Sequence, residues 1–390
     1  MILNKNLPYS KQSISSGDIG AVKKVLKSNY LTSGPQVKNF EKNISSSVNV
    51  KYAVSTNSAT SALHIACMSL GLKKNDIIWT SSISFVASAN CAKYCGATVD
   101  FLDIELNTFN LDIQKLEKKL EISKKKKKLP KILIPVHLGG NPCDMEKIYI
   151  LSKKYKFKII EDASHALGAK IKNNKIGSCK YSDLAVFSFH PVKMITTAEG
   201  GIVTTNNKII FEKLKMFREH GIVRDKNKFK NKKIKTLETH YEQHELGYNY
   251  RLSEVHATLG ISQLKRLNKF IKKRNQINNF YKKELSNFPM KFQNISKNNL
   301  SSVHLVIALI SKKIRNNFFN YLRRNKIIVN IHYIPIFYHP FYYKKKFLTN
   351  KSAIEYYESA ISLPAFNDLK KNELKYIVKI IKSYFLKNAN

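Results

Sequence analysis

Short apolar runs alternate with amphipathic stretches between residues 50 and about 220. The runs span four to six positions, end at small or polar residues and suit buried strands. Strands are predicted at Tyr52–Ser55, Ile77–Thr80, Thr98–Leu102, Ile132–Val136, Lys158–Glu161, Leu184–Phe189 and Gly201–Thr205. Helices are predicted between them, at 59–70, 84–95, 112–121, 144–155 and 207–220. This alternation predicts an α/β fold with a mostly parallel sheet, helices on both faces and ligands at the carboxyl ends of the strands.

The last third of the chain changes to long, Lys-rich amphipathic helices. Ser253 to about Leu285 is predicted as one long helix, followed by a strand-like run at Val303–Ile310 and a closing helix from about 370. At 390 residues the chain exceeds what one hydrophobic core usually covers. We therefore predict a large α/β domain over 1–260 and a smaller α+β domain over 261–390.

Composition argues against several classes of protein. No apolar stretch reaches the roughly 18 residues that a membrane span needs, so no membrane contact is predicted. The cysteines are scattered and form no CxxC pair, which argues against a disulfide framework and a structural zinc site; they are Cys67, Cys91, Cys95, Cys143 and Cys179. The expected location is a reducing cytoplasm, and no metal is expected.

The net charge of +41 is unusual, because such an excess can mark a nucleic-acid-binding protein. Here the excess is nearly all lysine and is spread over the whole chain. The densest run, Lys124–Lys128, lies beside a predicted strand, where it most simply solvates a loop. We therefore predict no nucleic-acid partner. The alternative would show as steeply salt-dependent binding to DNA of arbitrary sequence.

Small and hydroxylated residues fill the first segment of chemical interest, Ser55–Ala62, which leaves a strand and opens a helix. Free backbone N–H groups at a helix N-terminus, with hydroxyls beside them, form a phosphate-binding position. The alternative is that these hydroxyls only cap the helix.

A carboxylate ends the apolar strand in the second segment, Ile159–His165. Pyridoxal phosphate (PLP) enzymes need an acidic residue against the pyridine nitrogen, because the protonated ring is the electron sink. Asp162 stands where such a residue is expected. The alternative is that Asp162 caps a following helix.

A lysine follows a predicted strand in the third segment, Phe187–Lys193, and a glycine pair comes at 200–201. An amine must be neutral to attack a carbonyl group, so a reactive lysine needs surroundings that lower its pKa. Lys193 stands out because its neighbourhood is lysine-poor in a lysine-rich chain.

These segments resemble the DegT/DnrJ/EryC1/StrS family of PLP-dependent sugar aminotransferases. The likeness is carried by Asn57–Leu63, Glu161–Gly168, Ser188–Lys193 and Leu246–Ser253, and it extends from Tyr9 and Leu31–Gly34 to Ser362–Pro364. The resemblance implies a fold-type-I homodimer with two active sites at the subunit interface. Some members have His in place of the lysine and deoxygenate sugars, so Lys193 favours amino transfer.

The resemblance also implies roles for individual residues. Lys193 would be the Schiff-base lysine and proton shuttle, Phe85 would stack on the ring, and His165 would lie near the ring hydroxyl. The full set of implied cofactor-binding positions is Ser58, Ala59, Thr60, Phe85, Asp162, His165, Ser188, Lys193 and Asn249 of the partner subunit. For Phe85, packing in the core is the alternative.

The implied substrate contacts are His332, Tyr333 and Arg251, of which the first two belong to a segment that resembles the family's sugar-facing region. A plain packed Tyr/His surface is the alternative for that segment. Within the family, Ile83–Asn90, Val136–Gly140 and Thr196–Gly201 look most like enzymes that aminate a UDP-linked 4-keto-6-deoxy-N-acetyl-altrosamine on the route to pseudaminic acid. L-Glutamate is the implied donor.

Two further alternatives stay open. One is an aminotransferase for a perosamine- or bacillosamine-type sugar, whose cofactor site would look the same. The other is a catalytically silent family member that binds PLP or a sugar nucleotide.

Overall fold

The computed structural model describes residues 6–231 and 237–387. Within these residues the α-helices are α1 Ser16–Leu26, α2 Pro35–Val48, α3 Ala59–Ser69, α4 Ala87–Tyr94, α5 Ile113–Lys125, α6 Met145–Tyr155, α7 Lys208–Arg218, α8 Glu254–Leu264, α9 Leu267–Glu284, α10 Lys312–Arg324, α11 Lys351–Ser359 and α12 Lys371–Lys387. The β-strands are β1 Tyr52–Thr56, β2 Ile77–Ser81, β3 Thr98–Leu102, β4 Ile132–Ile134, β5 Lys158–Asp162, β6 Lys170–Ile171, β7 Asn174–Lys175, β8 Leu184–Ser188, β9 Gly201–Thr205, β10 Ile222–Val223, β11 Glu242–Gln243, β12 Lys291–Phe292, β13 Asn299–Leu300, β14 Val306–Leu309 and β15 Ala360–Leu363.

The central sheet has seven strands in the order β1-β9-β8-β5-β4-β2-β3. Pairing is parallel from β8 through β5, β4 and β2 to β3, and only β9 runs antiparallel to its neighbours β8 and β1. The prediction of an α/β fold with a mostly parallel sheet is therefore confirmed. Strand β4 ends at Ile134, before the predicted end at Val136, because Pro135 has no N–H to donate to the ladder.

The prediction of one helix from Ser253 to Leu285 is wrong, because α8 and α9 are separate helices. The break falls at Arg266, whose ψ of 2° departs from helical geometry. Both Gln263 and Arg266 donate hydrogen bonds to the buried carboxylate of Asp18 on α1. These contacts hold α8 against α1, and the chain then turns into α9.

Two of the hydrophobic cores in the described part of the chain bear on its domain organisation. One spans the central sheet and includes Phe40, Ile159 and Phe187. The other packs α9, α10 and α12 against the three-stranded sheet β12-β14-β15. Leu7 belongs to this second core and pairs its backbone with residues 326 and 328. The N-terminal segment thus packs with the C-terminal part of the chain, and the domain boundary near residue 260 stays a prediction.

All five cysteines are free thiols. Among the described residues, no helix is long and apolar enough to cross a membrane. The same residues contain no group of three or more His, Cys, Asp or Glu side chains that could hold a metal ion.

Candidate active site

A cavity of about 490 Å³ opens at the carboxyl ends of β1, β5 and β8 and is closed on one side by residues 330–333. Parallel strands bring their carboxyl ends to one edge of the sheet, which is why motifs far apart in sequence meet there. The cavity is lined by these residues from the predicted set: Ser58, Ala59, Thr60, Phe85, Asp162, His165, Ser188, Lys193, His332 and Tyr333. Asn249 and Arg251 do not line it.

The N-terminus of α3 forms one wall of the cavity. Ser58 is the N-cap residue, and its Oγ accepts a hydrogen bond from the Ser61 N–H at 3.1 Å. A Cβ atom on Gly201 would lie 2.5 Å from the Ser58 backbone, so glycine allows β9 to approach this turn closely. The first N–H groups of α3 have no partner within the helix, and they suit an anion. The capping role of Ser58 therefore does not exclude an anion site at the N-terminus of α3.

Asp162 ends β5 on the cavity wall with only 5% of its surface exposed. Its Oδ2 accepts a hydrogen bond from Ser88 Oγ at 2.6 Å, and its Oδ1 accepts the Ser164 N–H at 3.1 Å. Residues 163–169 form turns, so Asp162 caps no helix. The alternative of a helix-capping role is therefore wrong, and a carboxylate held by two donors remains at the cavity wall.

Lys193 lies in a turn after β8, where its backbone N–H donates to the His190 carbonyl at 2.9 Å. Burial lowers the pKa of Lys193 to about 8, although the nearby Asp162 carboxylate favours the charged amine. A larger fraction of this amine is therefore neutral near pH 7 than for an exposed lysine. This is the property that a lysine needs for attack on a carbonyl group.

His165 is held by two hydrogen bonds that fix its proton. Its Nδ1 accepts the Gly139 N–H at 3.3 Å, and its Nε2 lies 3.1 Å from Tyr333 Oη. Burial, followed by the charge of Lys193, keeps the pKa of His165 well below its usual value. The ring is therefore neutral, with its proton on Nε2 donated to Tyr333. The tyrosine O–H remains available to donate to a bound molecule.

His332 is buried and its Nδ1 lies 2.9 Å from Ser362 Oγ. Burial, together with Lys193, lowers the pKa of His332 to about 3. The ring also packs against Tyr9, with centroids 4.9 Å apart. A neutral, anchored histidine of this kind shapes the cavity wall.

Phe85 lies at the cavity rim with 58% of its surface exposed. Its ring centroid is 6.2 Å from that of Tyr333. The alternative that Phe85 packs in the core is wrong. An exposed aromatic face beside the cavity can stack on a planar ring.

The segment around Asn249 is braced against α7 and α3. Tyr248 and Tyr250 donate backbone N–H groups to the carbonyls of residues 217 and 218, and their rings stack at 4.9 Å. His64 on α3 lies 3.2 Å from Tyr250 Oη through its Nδ1. The segment is thus held in place, and Asn249 is exposed and does not line the cavity.

Sequence reasoning missed Tyr9, Ser84 and Ser88 as residues of the site. Tyr9 and Ser84 line the cavity, and Ser88 supports Asp162 from behind. The sequence signal for the two serines is their spacing of four positions, which is one helical turn. That spacing alone is equally typical of a helix face made of small residues.

Comparison with known proteins agrees with this geometry. Residues 12–382 match the model of the DegT/DnrJ/EryC1/StrS aminotransferase family. The chain is 40% identical to a UDP-4-amino-4,6-dideoxy-N-acetyl-beta-L-altrosamine transaminase of Campylobacter jejuni over 95% of both chains. It is 29% identical to a GDP-perosamine synthase of Escherichia coli O157:H7, over 98% of this chain and 99% of the other.

Two solved structures of aminotransferases resemble this chain over nearly its whole length. Helicobacter pylori PseC, an aminotransferase involved in the biosynthesis of pseudoaminic acid, superposes with a TM-score of 0.86 at 32% identity, over 98% of this chain and 100% of the other. The PLP form of the putative sugar aminotransferase Spr1654 from Streptococcus pneumoniae gives a TM-score of 0.87 at 27% identity, over 98% and 99%.

Proposed function

We propose, because the chain belongs to the DegT/DnrJ/EryC1/StrS aminotransferase family, that it transfers an amino group from L-glutamate to C4 of UDP-4-keto-6-deoxy-N-acetyl-beta-L-altrosamine. The reaction belongs to pseudaminic acid biosynthesis, as the names of its relatives suggest. The observation that carries the proposal is one cavity that joins Lys193, Asp162 and the N-terminus of α3. We also propose a reducing cytoplasm as its location, and the five free cysteines support this.

The cavity fits pyridoxal 5′-phosphate, the cofactor of this family. Ser58, Thr60 and Ser188 offer hydroxyls beside the free N–H groups of α3, which suits the phosphate. Asp162 supplies the carboxylate for the ring nitrogen, and Phe85 supplies an exposed aromatic face. Lys193 supplies an amine whose pKa is lowered to about 8.

When bound, the cofactor supplies an electron sink that makes a proton on the amino donor labile. Lys193 would hold it covalently through Nζ. Once freed by the donor amine, that Nζ would accept the proton from Cα of glutamate and pass it to the cofactor, and in the second half of the reaction it would deliver a proton to C4 of the sugar. The Asp162 carboxylate would pair with the protonated ring nitrogen. His165 directs Tyr333, whose free O–H donates into the cavity.

The UDP-linked altrosamine is favoured over a perosamine-type sugar by the higher identity to the altrosamine transaminases, 40% against 29%. A silent role is disfavoured because Lys193 and Asp162 are both present and share one cavity. His332, Tyr333 and Arg251 are proposed to contact the sugar nucleotide.

The deciding experiment incubates the purified protein with PLP, glutamate and a panel of UDP-, GDP- and dTDP-linked 4-keto sugars. We expect amination of UDP-4-keto-6-deoxy-N-acetyl-altrosamine at C4, identified by mass and NMR, with release of 2-oxoglutarate. Preferred amination of a GDP-linked sugar would instead identify a perosamine-type enzyme. PLP binding without amination of any sugar would identify a silent member.

We further propose that the enzyme is a homodimer in which Asn249 and Arg251 enter the cavity of the partner subunit. The support is the exposed position of Asn249 on a braced segment that supplies no lining residue to the cavity described here. A segment that is held in place by hydrogen bonds and leaves a polar side chain exposed is suited to complete a site across an interface.

Mixing Lys193→Ala with Asn249→Ala protein should produce heterodimers with one site that carries both lesions and one that carries neither. The unaltered site should work at the wild-type rate, so activity should exceed the sum of the two parent proteins. Steady-state assays after subunit exchange, with native mass spectrometry to quantify heterodimers, measure this. Activity that never exceeds the sum despite heterodimer formation would show that Asn249 does not act across an interface.

A further inference from the structure

Two buried serines connect the cavity wall to the back of Asp162. Ser88 Oγ lies 2.6 Å from Asp162 Oδ2, and Ser84 Oγ lies 2.7 Å from Ser88 Oγ. Ser88 is fully buried, and Ser84 is 3% exposed and lines the cavity. Ser84 immediately precedes Phe85 at the cavity rim, and Ser88 lies one turn further on, in α4. The side chains of Ser84, Ser88 and Asp162 thus form a continuous chain of hydrogen bonds.

The chemistry of these groups fixes the direction of the hydrogen bonds. A hydroxyl carries one proton, and an ionised carboxylate can only accept. The Ser88 hydroxyl therefore donates a hydrogen bond to Asp162. Its oxygen in turn accepts a hydrogen bond from the Ser84 hydroxyl. A donor to a carboxylate at this distance forms a charge-assisted hydrogen bond, which is stronger than one between neutral groups. The hydrogen bonds from Ser84 to Ser88 and from Ser88 to Asp162 thus stabilise negative charge on Asp162 Oδ2. The Ser164 N–H does the same for Asp162 Oδ1.

We propose that Ser88, oriented by Ser84, is a positioning residue that donates to the Asp162 carboxylate and holds it turned toward the cofactor's ring nitrogen. The inference rests on the role proposed above for Asp162. Without the hydrogen bond from Ser88, the Asp162 carboxylate would compete more strongly with the cofactor's ring nitrogen for the proton between them. The ring nitrogen would then spend more time neutral and would be a weaker electron sink.

A purely structural role for Ser88 would predict a different outcome when its hydroxyl is removed. Loss of a buried hydroxyl that only supports the fold lowers stability and leaves the electronic state of the bound cofactor unchanged. Loss of the donor to Asp162 changes the charge beside the ring, which is visible in the absorbance of the bound cofactor. The two explanations therefore separate in a spectroscopic titration of the holoenzyme.

The test is Ser88→Ala, examined by pH titration of cofactor absorbance and by steady-state kinetics. We expect the titration midpoint to rise by about half a pH unit or more, because a neutral ring nitrogen makes the conjugated system hold its proton more tightly. We expect kcat to fall about tenfold, the order associated with one hydrogen bond to a charged group, with KM for the sugar nucleotide unchanged. Ser84→Ala should shift both quantities in the same direction by less.

Ser88→Thr retains the hydroxyl and should restore the wild-type midpoint. Ser69→Ala is the matched control, since Ser69 is also a buried helical serine, donates only to the Ala66 carbonyl at 2.8 Å and lies outside the cavity. It should leave the midpoint and kcat unaltered.

A wild-type midpoint in Ser88→Ala would overturn the proposal, as would equal shifts in Ser88→Ala and Ser69→Ala. If Ser88→Ala does not fold, Ser84→Ala decides the question, and an unshifted midpoint there would overturn the proposal. A wild-type protein that binds PLP at no lysine would instead refute the function proposed above. The two failures are thereby distinct.

Discussion

Lys193→Ala should lose aminotransferase activity by about a thousandfold or more, because the variant loses the residue proposed both to anchor the cofactor covalently and to move the proton. Positioned proton transfer alone contributes roughly 10²–10⁴-fold to such reactions. Borohydride treatment followed by peptide mass spectrometry should find the cofactor on Lys193 in the wild-type protein and on no lysine in the variant.

The control for this experiment must be a lysine with a similar environment. Lys119 is suitable because burial also lowers its pKa, while its amine lies 3.1 Å from Asp100, outside the cavity. Lys119→Ala should keep both labelling at Lys193 and activity. This comparison separates the position of Lys193 from the general reactivity of a buried amine. Labelling at another lysine in the wild-type protein would contradict the assignment.

Asp162→Asn should reduce turnover by about a hundredfold or more, the order seen when one preorganised electrostatic contact is removed. The substitution keeps the shape of the side chain but removes the charge proposed to hold the ring nitrogen protonated. Cofactor affinity, measured by equilibrium dialysis, should fall less than kcat, because the phosphate contacts on α3 are unaltered.

Asp103→Asn is the matched control for this charge. Asp103 is equally buried, at 4% exposure, its carboxylate accepts the N–H groups of residues 352 and 353, and it does not line the cavity. Its variant should lose thermal stability while the folded protein keeps the wild-type kcat and cofactor spectrum. Near-normal turnover in Asp162→Asn would show that another acid serves the ring nitrogen.

The order of strands and helices and the residues at the strand ends could be predicted from the sequence. Burial of both sheet faces requires continuous apolar runs, and a parallel sheet places the residues after each run at one edge. For this reason Lys193, Asp162 and Ser58 were expected to lie close together, and the structure brings all three to one cavity. Their roles in catalysis remain predictions until the variants are measured.

Other features depend on contacts that no local pattern encodes. Helix α8 ends where it does because Asp18, more than 240 residues earlier, accepts hydrogen bonds from Gln263 and Arg266. Residues 253–285 have helical periodicity throughout, so the sequence alone predicted no break. A helical pattern specifies which face is buried, but the partner element decides where the helix must end.

The same limit applies within the site. Ser88 and Asp162 are 74 positions apart, and His165 and Tyr333 are 168 apart. Sequence alone determined that a lysine, a carboxylate and a helix N-terminus would meet at the edge of a parallel sheet, because strand periodicity and chain order are local properties. Only the tertiary structure decided which hydroxyl supports the carboxylate, which tautomer His165 adopts and whether Asn249 lines this cavity, since each depends on the packing of distant elements.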